Sequence, residues 1–273
     1  MAKSALDRKL GKLREIIFRE GSAVVAFSGG VDSTFLLRVA SEILGRGLLA
    51  VTATSPTYTE SELNGARKLA KSFGVRHMIV DSNELKIPNF AGNPVNRCYY
   101  CKSELFSILR KIADSKGMKA VFDGSNADDE SDYRPGRKAA KEIGVLSPLS
   151  EAGLSKDEIR TLSRRLGLKT WDKPSMACLA SRFPYGTKIT SKRLKMVEAA
   201  EAALKLMGFR TVRVRYEGDT ARIELGQEEI RKAARKPTRE KIAREFRKIG
   251  FVYSALDIEG YRTGSMNLAL KRG

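Results

Sequence analysis

The feature that most constrains the fold is a regular alternation of short apolar runs and amphipathic helical patterns over the first half of the chain. Apolar runs at residues 24–27 and 48–53 are each followed by a helical pattern, at residues 33–44 and 59–73. Further predicted elements in this half are strands at residues 76–80 and 119–122 and a helix at residues 102–115. Such alternation is typical of a mostly parallel sheet covered by helices, with ligands bound at the carboxyl ends of the strands. We therefore predict an α/β fold with a site at that edge of the sheet.

A glycine turn joins the strand at residues 24–27 to the helix that follows it. Residues 28–33 read Ser-Gly-Gly-Val-Asp-Ser. Two glycines let the backbone approach an anion closely, and a helix N-terminus offers unpaired amides and about half a positive charge. The loop lacks the lysine of a Walker motif, and a plain capped turn is the alternative. Its place after the first strand favours phosphate binding by Ser28, Gly29, Gly30, Asp32 and Ser33, with Asp32 capping the helix or holding Mg²⁺.

The chain has three cysteines, Cys98 and Cys101 in a C-x-x-C and Cys178 far downstream. Thiolates are both metal ligands and strong nucleophiles, so two functional roles are open. In one, the three cysteines ligate three irons of a [4Fe-4S] cluster whose fourth iron stays open to carry an extra sulfide. In the other, Cys178 gives up its own sulfur and becomes dehydroalanine.

Two structural roles for these thiols are also conceivable. The only histidine, His77, could complete a zinc site, or the thiols could be buried and inert. His77 opens a predicted strand far along the chain from the cysteines, so we interpret it as an ordinary strand residue. The C-x-x-C directly precedes the helix predicted at residues 102–115, inside a loop bounded by prolines, which argues against inert core thiols. Three cysteines without a fourth favour the open-site cluster.

Composition limits the compartment and the partners. The chain has 273 residues, 42% of them apolar, and a net charge of +19. Residues 1–19 carry basic side chains but no long apolar stretch, so we expect neither a secretory signal nor a membrane span, and a cytoplasmic protein with reduced or metal-bound thiols. The basic surface is either simply solvated or a site for the phosphates of nucleotides or nucleic acids.

The last third of the chain has a different pattern. An irregular segment follows a helix predicted at residues 155–166, and it separates predicted domains at residues 1–180 and 181–273. The second is a small basic α+β domain, with a helix at residues 191–207, a hairpin, a basic helix and a strand at residues 251–256. In the hairpin, alternation places Arg213, Arg215, Arg222 and Glu224 on one face. That face is either a solvated outer surface or a platform for phosphate or carboxylate groups.

The loop at residues 28–33 resembles the PP-loop of the ATP pyrophosphatases, which cleave ATP to AMP and pyrophosphate while adenylating an oxygen of the substrate. The resemblance implies that adenine and ribose lie near residues 52–55, with Thr54 and Ser55 in contact. It also implies that residues 123–129 line the site, with Gly124, Asn126 and Asp128 binding the nucleotide. Adenylation creates a good leaving group, and a nucleophile must follow.

With its cysteines included, the chain is similar to the LarE family of ATP-dependent sulfur transferases, which act in making the nickel-pincer nucleotide cofactor. The motifs that carry this likeness lie at residues 28–33, 123–129, 136–140, 147–149, 171–174, 177–182, 184–187, 213–215 and 221–224. The first is common to all PP-loop enzymes, whereas the stretch around Cys178 and the arginine hairpin are more specific. The family also implies a homo-oligomer.

The resemblance implies a small nucleotide substrate, pyridinium-3,5-dicarboxylate mononucleotide, whose carboxylates become thiocarboxylates. ATP, Mg²⁺ and a sulfide source are the other implied partners. The residues implied to bind the substrate are Arg97, Ser181, Arg182, Arg213, Arg215, Arg222 and Glu224. The family contains both kinds of sulfur donor, and Cys98 and Cys101 place this chain with the cluster-bearing members.

Other functions share parts of this pattern. A PP-loop tRNA thiolase would also use a three-cysteine cluster and a basic surface, but we find no zinc ribbon or known RNA-binding module in the sequence. An amidating enzyme of the same fold would take ammonia as the nucleophile and would need neither a cluster nor Cys178. A non-catalytic nucleotide sensor would leave the cysteines unexplained.

Overall fold

The structure, a computed structural model, describes residues 4–87, 89–130, 135–174 and 178–262. The chain forms two compact units, the first of residues 1–87 and 96–176 and the second of residues 88–95 and 177–273. The division into domains at residues 1–180 and 181–273 stays a prediction. Residue 177 of the cysteine motif and residues 131–134 of the loop predicted after the fourth strand lie outside the described residues.

The first unit has the predicted α/β architecture. Its elements in chain order are α1 (Ala5–Glu20), β1 (Ala23–Ala26), α2 (Val31–Leu44), β2 (Leu48–Thr54), α3 (Glu60–Ser72), β3 (Arg76–Asp81), α4 (Arg97–Ser115), β4 (Ala120–Phe122), α5 (Pro135–Ile143), α6 (Pro148–Glu151) and α7 (Lys156–Arg165). The four strands form one sheet in the order β3-β2-β1-β4, and every neighbouring pair is parallel. The predicted parallel sheet is therefore confirmed, with β1 at its centre.

Alternate residues of the central strands face opposite sides of this sheet. Val25 of β1 pairs with Ala50 of β2 and with Phe122 of β4, and all three belong to one buried apolar cluster. Val24 pairs with Leu49, and both pack in a second cluster. Because strand side chains alternate between faces, the two clusters fill the two sides of the sheet. A parallel sheet needs this double cover, and it explains why β1 is apolar throughout.

The helix that carries the C-x-x-C begins earlier than predicted. Its first residue is Arg97 rather than Lys102, so Cys98 and Cys101 lie in its first two turns and not before it. No proline or glycine follows Pro94 in this stretch, so nothing in the sequence prevents the helix from starting there. Residues three apart share a helix face, so the two thiols lie on the same side of α4.

The second unit is a smaller α+β structure, as predicted. Its elements are α8 (Ser191–Leu206), β5 (Val212–Glu217), β6 (Thr220–Leu225), α9 (Ile230–Ala234), α10 (Lys236–Ile249) and β7 (Tyr253–Leu256). The strands form a sheet in the order β5-β6-β7, with β5 antiparallel and β7 parallel to β6. The predicted hairpin is confirmed, and Gly218 in its turn has a φ of 67°. No described helix of the chain is long and apolar enough to cross a membrane.

A substitution in the first unit tests the assignment of its core. Phe35 of α2 is fully buried, one turn beyond the loop at residues 28–33. Replacing it with alanine should lower the free energy of unfolding by about 3–5 kcal/mol, because a cavity replaces the ring. Phe18 of α1 is 75% exposed and serves as the control, with an expected change below about 0.5 kcal/mol. Urea denaturation measures both, and equal losses would contradict this core.

Candidate functional site

The loop at residues 28–33 joins the end of β1 to a helix N-terminus that has no side-chain cap. Gly30 is the N-cap residue of α2, and among the described residues no side chain caps this helix. The helices α1, α3, α7 and α8 are each capped by a serine or threonine, whereas α4, α6, α9 and α10 lack a side-chain cap as α2 does. Gly29 has a φ of 67°, a conformation that glycine adopts without strain. The first amides of α2 are therefore left to bind an anion at the carboxyl end of the central strand.

Two serine hydroxyls lie inside the loop at residues 28–33, termed the phosphate loop. The Oγ atoms of Ser28 and Ser33 are 3.1 Å apart, and the Gly30 amide donates to Ser28 Oγ at 3.4 Å. Ser33 is buried in the first turn of α2. The hydroxyls therefore hold the loop in shape around its free amides. The predicted residues Ser28, Gly29, Gly30 and Ser33 lie together in one loop.

The segment after β4 forms a second wall of the site. Gly124 passes so close to α2 that a Cβ atom on it would lie 3.2 Å from the Ser33 amide nitrogen, which is why a glycine stands there. Asn126 is buried, and its side-chain amide donates to Asp32 Oδ1 at 3.4 Å. The backbone amide of Asp128 donates to Asn126 Oδ1 at 3.0 Å. The structure thus places the predicted Gly124, Asn126 and Asp128 beside the phosphate loop.

Two lysines that the sequence analysis did not single out reach the phosphate loop. Lys156, the first residue of α7, forms an ion pair with Asp32 through its Nζ atom. Lys173 donates from Nζ to the backbone oxygen of Gly29 at 3.0 Å. The loop has no lysine of its own, and these two place positive charge beside it. Asp32 neither caps α2 nor stands alone, because it pairs with Lys156.

Local structure explains how each lysine is held. Ser155 and Glu158 form a capping box that starts α7 at Lys156. Arg160 of α7 donates to the backbone oxygens of Trp171 and Lys173, at 2.6 and 2.9 Å. The Ser-Lys-Asp-Glu pattern at residues 155–158 predicted the start of this helix, but no local signal showed that its first lysine would face a loop more than 120 residues earlier. Only the fold brings them together.

The loop after β2 forms a third wall. Tyr58 donates its hydroxyl to the backbone oxygen of Ser28 at 2.6 Å, and burial together with nearby Glu62 raises the pKa of the tyrosine. Ser55 Oγ donates to Glu84 Oε2 at 3.1 Å, while Thr54 donates to Asp81 at 3.0 Å. Of the two residues predicted to contact adenine and ribose, Ser55 thus faces a buried carboxylate and Thr54 the end of β3.

His77 lies in β3 as an ordinary strand residue. Its Nε2 is 2.8 Å from the hydroxyl of Thr52, and Thr52 in turn donates to the backbone oxygen of Phe27 at 2.6 Å. Burial, with a smaller contribution from Arg67, lowers the pKa of His77 below its usual value. The described residues contain no group of three or more histidine, cysteine, aspartate or glutamate side chains placed to hold a metal ion.

The three cysteines are present as thiols. Cys98 and Cys178 are exposed, and Cys101 is half-buried. Cys101 donates from Sγ to Glu84 Oε1 at 3.0 Å. Cys98 and Cys101 belong to the first unit, and Cys178, at the N-cap position of a short 3₁₀ turn over Leu179–Arg182, belongs to the second. Their joint role as metal ligands stays a prediction.

The second unit holds a buried network of arginines and glutamates. Arg182 forms a bidentate pair with Glu201, at 2.8 and 3.1 Å, and both side chains are at most 6% exposed. Arg215 pairs with Glu224 at 2.6 Å, and it also donates to the backbone oxygen of Ser181 at 2.9 Å. Buried arginines of this kind are held rigidly by their charged partners.

Two further arginines of the hairpin border this network. Arg222 contacts Glu224 at 3.0 Å and Asp257 at 2.6 Å. Arg213 is half-buried, its guanidinium lies 5.1 Å from the ring centre of Tyr261, and burial lowers its pKa with a further contribution from Arg182. The interpretation of this side of the hairpin as a solvated outer face is therefore wrong, because most of its arginine and glutamate side chains are paired with one another and are partly or fully buried.

Arg97 is the one predicted substrate residue in the first unit. It is 6% exposed and lies in the first turn of α4, directly before Cys98. The other predicted substrate residues, Ser181, Arg182, Arg213, Arg215, Arg222 and Glu224, belong to the second unit. Sequence reasoning missed Glu201, the partner of Arg182, because it stands on a helix between alanines and belongs to no local motif.

Comparison with known proteins extends these observations. Residues 19–140 match the asparagine synthase family. The chain is 41% identical over 249 residues to pyridinium-3,5-bisthiocarboxylic acid mononucleotide synthase of Lactiplantibacillus plantarum, covering 91% of this chain and 90% of that protein. It is 45% identical over 267 residues to an uncharacterized protein of Synechocystis, covering 98% of this chain and all of the relative. A subunit of the glutamine-hydrolyzing GMP synthase of Thermoplasma volcanium is 29% identical, over 57% of this chain and 54% of its own length.

The half-buried lysine that reaches the phosphate loop, Lys173, predicts a dependence of ATP affinity on pH. Burial lowers the pKa of Lys173 below the value of an ordinary lysine, about 10.4, so its charge is lost at a lower pH than usual. A neutral amine attracts phosphate less, and the Kd for ATP should rise about tenfold as the pH is raised through that lowered pKa, a change of about 1.4 kcal/mol. Isothermal titration calorimetry over a pH series that ends at about 10 measures it.

Lys173→Arg is the matched control, because arginine keeps its charge throughout this range. Its Kd for ATP should stay nearly constant. Identical pH curves for the native protein and Lys173→Arg would contradict a role for the Lys173 charge in binding.

Proposed function

Because the chain belongs to the LarE family of ATP-dependent sulfur transferases, we propose that it converts the carboxylates of pyridinium-3,5-dicarboxylate mononucleotide into thiocarboxylates. The observation that carries this proposal is the 41% identity to a bisthiocarboxylic acid mononucleotide synthase over 91% of the chain, which spans both units. The phosphate loop with its two lysines, the three thiols and the arginine network are each accounted for by this reaction. The GMP synthase likeness covers only 57% of the chain and supports the shared ATP chemistry.

The first step is the adenylation of a carboxylate. ATP binds with its phosphates on the amides of α2, between Lys156 and Lys173, which neutralise part of its charge. A carboxylate oxygen of the substrate attacks the α-phosphorus, and the bond from that phosphorus to the bridging oxygen of pyrophosphate breaks. Mg²⁺ bound with ATP would screen the remaining charge, and Asp32 is the carboxylate of the loop suited to hold it. The products are an acyl adenylate and pyrophosphate.

The second step is the attack of sulfur on the acyl adenylate. A sulfur nucleophile adds to the acyl carbon, and the carbon–oxygen bond to AMP breaks, so that a thiocarboxylate and AMP are formed. AMP is a good leaving group because its phosphate is a stable anion. The sulfur comes either through a cluster held by Cys98, Cys101 and Cys178 or from Cys178 itself. In the second case the attack by Cys178 Sγ first gives a thioester, and loss of the Cα proton with cleavage of the Cβ–Sγ bond then releases the thiocarboxylate and leaves dehydroalanine.

The number and the exposure of the thiols are what favour a three-cysteine cluster as the sulfur source. Cys98 and Cys178 are exposed, and Cys98 and Cys101 share a face at the start of α4. When bound, a [4Fe-4S] cluster with three protein thiolates would supply sulfide at the iron that no cysteine holds. We therefore favour this source over the loss of sulfur from Cys178.

The arginines of the second unit are the proposed site for the substrate. A ring with two carboxylates and a phosphate tail carries several negative charges, and planar guanidinium groups bind such groups through paired hydrogen bonds. Arg182 and Arg215 are fixed by buried glutamates, so they are preorganised, while Arg213 and Arg222 are more exposed. Ser181 and Arg97 are further candidates. We also propose a cytoplasmic homo-oligomer that takes its sulfur from a separate sulfide source.

Iron and sulfide analysis tests the proposed sulfur source. After anaerobic reconstitution, the native protein should hold about four irons and about four acid-labile sulfides per chain. Cys98→Ala and Cys178→Ala should each lose most of both, because each removes one ligand of three. Ser103→Ala, on the same helix as the C-x-x-C, is the control and should keep the full content.

The same samples then receive ATP and the dicarboxylate mononucleotide, and the thiocarboxylate is measured by mass spectrometry. Iron in the native protein with no product from Cys178→Ala supports transfer through the cluster. No iron, with dehydroalanine at residue 178 after one turnover, would instead make Cys178 the sacrificed donor. Full product from Cys178→Ala would contradict both sulfur sources.

A further inference from the structure

A buried carboxylate lies between the nucleotide site and the C-x-x-C. Glu84 follows β3 in the chain, in the 3₁₀ turn Glu84–Lys86, and it is only 9% exposed. Three side chains donate to it: Thr57 and Ser55 to Oε2, and Cys101 to Oε1 at 3.0 Å. Glu84 has no lysine or arginine partner among the residues that the structure describes. A buried carboxylate is costly to keep without a cation, so its three donors are what fixes it in place.

The donors connect Glu84 to two functional segments of the first unit. Cys101 lies on α4, whereas Ser55 and Thr57 lie in the loop after β2. The next residue of that loop, Tyr58, donates to the backbone oxygen of Ser28 in the phosphate loop at 2.6 Å. The Oγ atoms of Ser55 and Thr57 are themselves 2.9 Å apart, so the loop is internally braced. A continuous series of contacts thus runs from the Cys101 thiol to the phosphate loop.

We propose that Glu84 is a positioning residue that couples nucleotide binding at the phosphate loop to the orientation of the Cys101 side chain. The proposal rests on the function proposed above, in which ATP binds this loop and Cys101 takes part in sulfur transfer. The group with two states is the Cys101 thiol. In the held state it donates to Glu84 Oε1, and in the other state it is turned away from that oxygen. A coupling of this kind requires such an element, in addition to a series of contacts.

The direction of the coupling follows from the contacts. A nucleotide on the phosphate loop orders Ser28 and, through Tyr58, the loop that carries Ser55 and Thr57. Those two side chains fix Oε2 of Glu84, and the opposite oxygen, Oε1, then holds the thiol. In the metal-free protein, where Cys101 carries the proton that it donates, bound nucleotide therefore favours the held state, and thermodynamic linkage requires that the held state favours the nucleotide equally.

The rate at which Cys101 is alkylated measures how much of the thiol is in the held state, and the rate for Cys98 serves as a reference. The metal-free protein is treated with iodoacetamide, with or without saturating α,β-methylene-ATP, which cannot be cleaved to AMP. Residues 98–102 form one tryptic peptide between Arg97 and Lys102, and fragment ions separate Cys98 from Cys101. Coupling energies of this kind are typically five- to 150-fold in affinity, so the nucleotide should slow labelling of Cys101 at least about fivefold. Labelling of Cys98, which is exposed, should change less than about twofold.

Two variants remove different contacts of the series that runs from Cys101 to the phosphate loop. Glu84→Leu removes both acceptor oxygens and places an apolar side chain of similar size in the buried position. Tyr58→Phe removes only the hydroxyl that reaches Ser28, and it leaves Glu84 and Cys101 untouched. Tyr99→Phe is the matched control, because it also removes a tyrosine hydroxyl, one that donates to Glu142 at 2.6 Å beside the thiols. Nucleotide protection of Cys101 should disappear in the first two variants and persist in the control.

Calorimetry on the same proteins separates the possible failures. Tight binding of the nucleotide with protection of Cys101 that Glu84→Leu and Tyr58→Phe remove supports the coupling. Binding without protection, or equal protection in all four proteins, overturns the coupling and leaves the proposed function standing. Absence of nucleotide binding by the native protein overturns the proposed function and the coupling with it.

Discussion

The uncapped N-terminus of α2, at the carboxyl end of the central strand β1, is the arrangement on which the rest of the site depends. The first amides of α2 have no side-chain cap, so water or a ligand must satisfy them. Here the apolar strand β1, buried on both faces, fixes the place of these amides, and Gly29 and Gly124 let the backbone come close around them. The core therefore fixes where the phosphate loop lies, and the free amides of the loop are left for a ligand.

The positive charge beside this loop comes from residues that are distant from it in the sequence. Lys156 and Lys173 lie beside a loop that has no lysine of its own, and both depend on α7 for their position. In the second unit, arginines are instead fixed by ion pairs with buried glutamates such as Glu201 and Glu224. Both arrangements fix cations before the substrate arrives, and preorganised charge is what an adenylating enzyme needs at its phosphates.

The sequence predicted those parts of the fold and site that depend on local pattern. Periodicity located the strands and most helices, and the glycine pair located the phosphate loop. The start of α4 was misplaced because the C-x-x-C was assigned to a loop, although nothing in its sequence opposes a helix. Lys156 and Glu84 were missed because a lone lysine or glutamate has no local signature, and only tertiary contacts over long separations give each its role. The buried state of Arg215 likewise could not be read from alternation, which does not tell a solvated face from a covered one.

Isotope transfer from the substrate tests the central claim, that a carboxylate oxygen is adenylated before sulfur replaces it. Pyridinium-3,5-dicarboxylate mononucleotide labelled with ¹⁸O in its carboxylates is incubated with ATP and the reconstituted protein, and the nucleotide products are analysed by mass spectrometry. The account predicts one ¹⁸O atom in AMP for each thiocarboxylate formed, because the bond from the carboxylate oxygen to the α-phosphorus survives when sulfur displaces AMP. Thiocarboxylate formed with unlabelled AMP, or with ¹⁸O in inorganic phosphate, would contradict it.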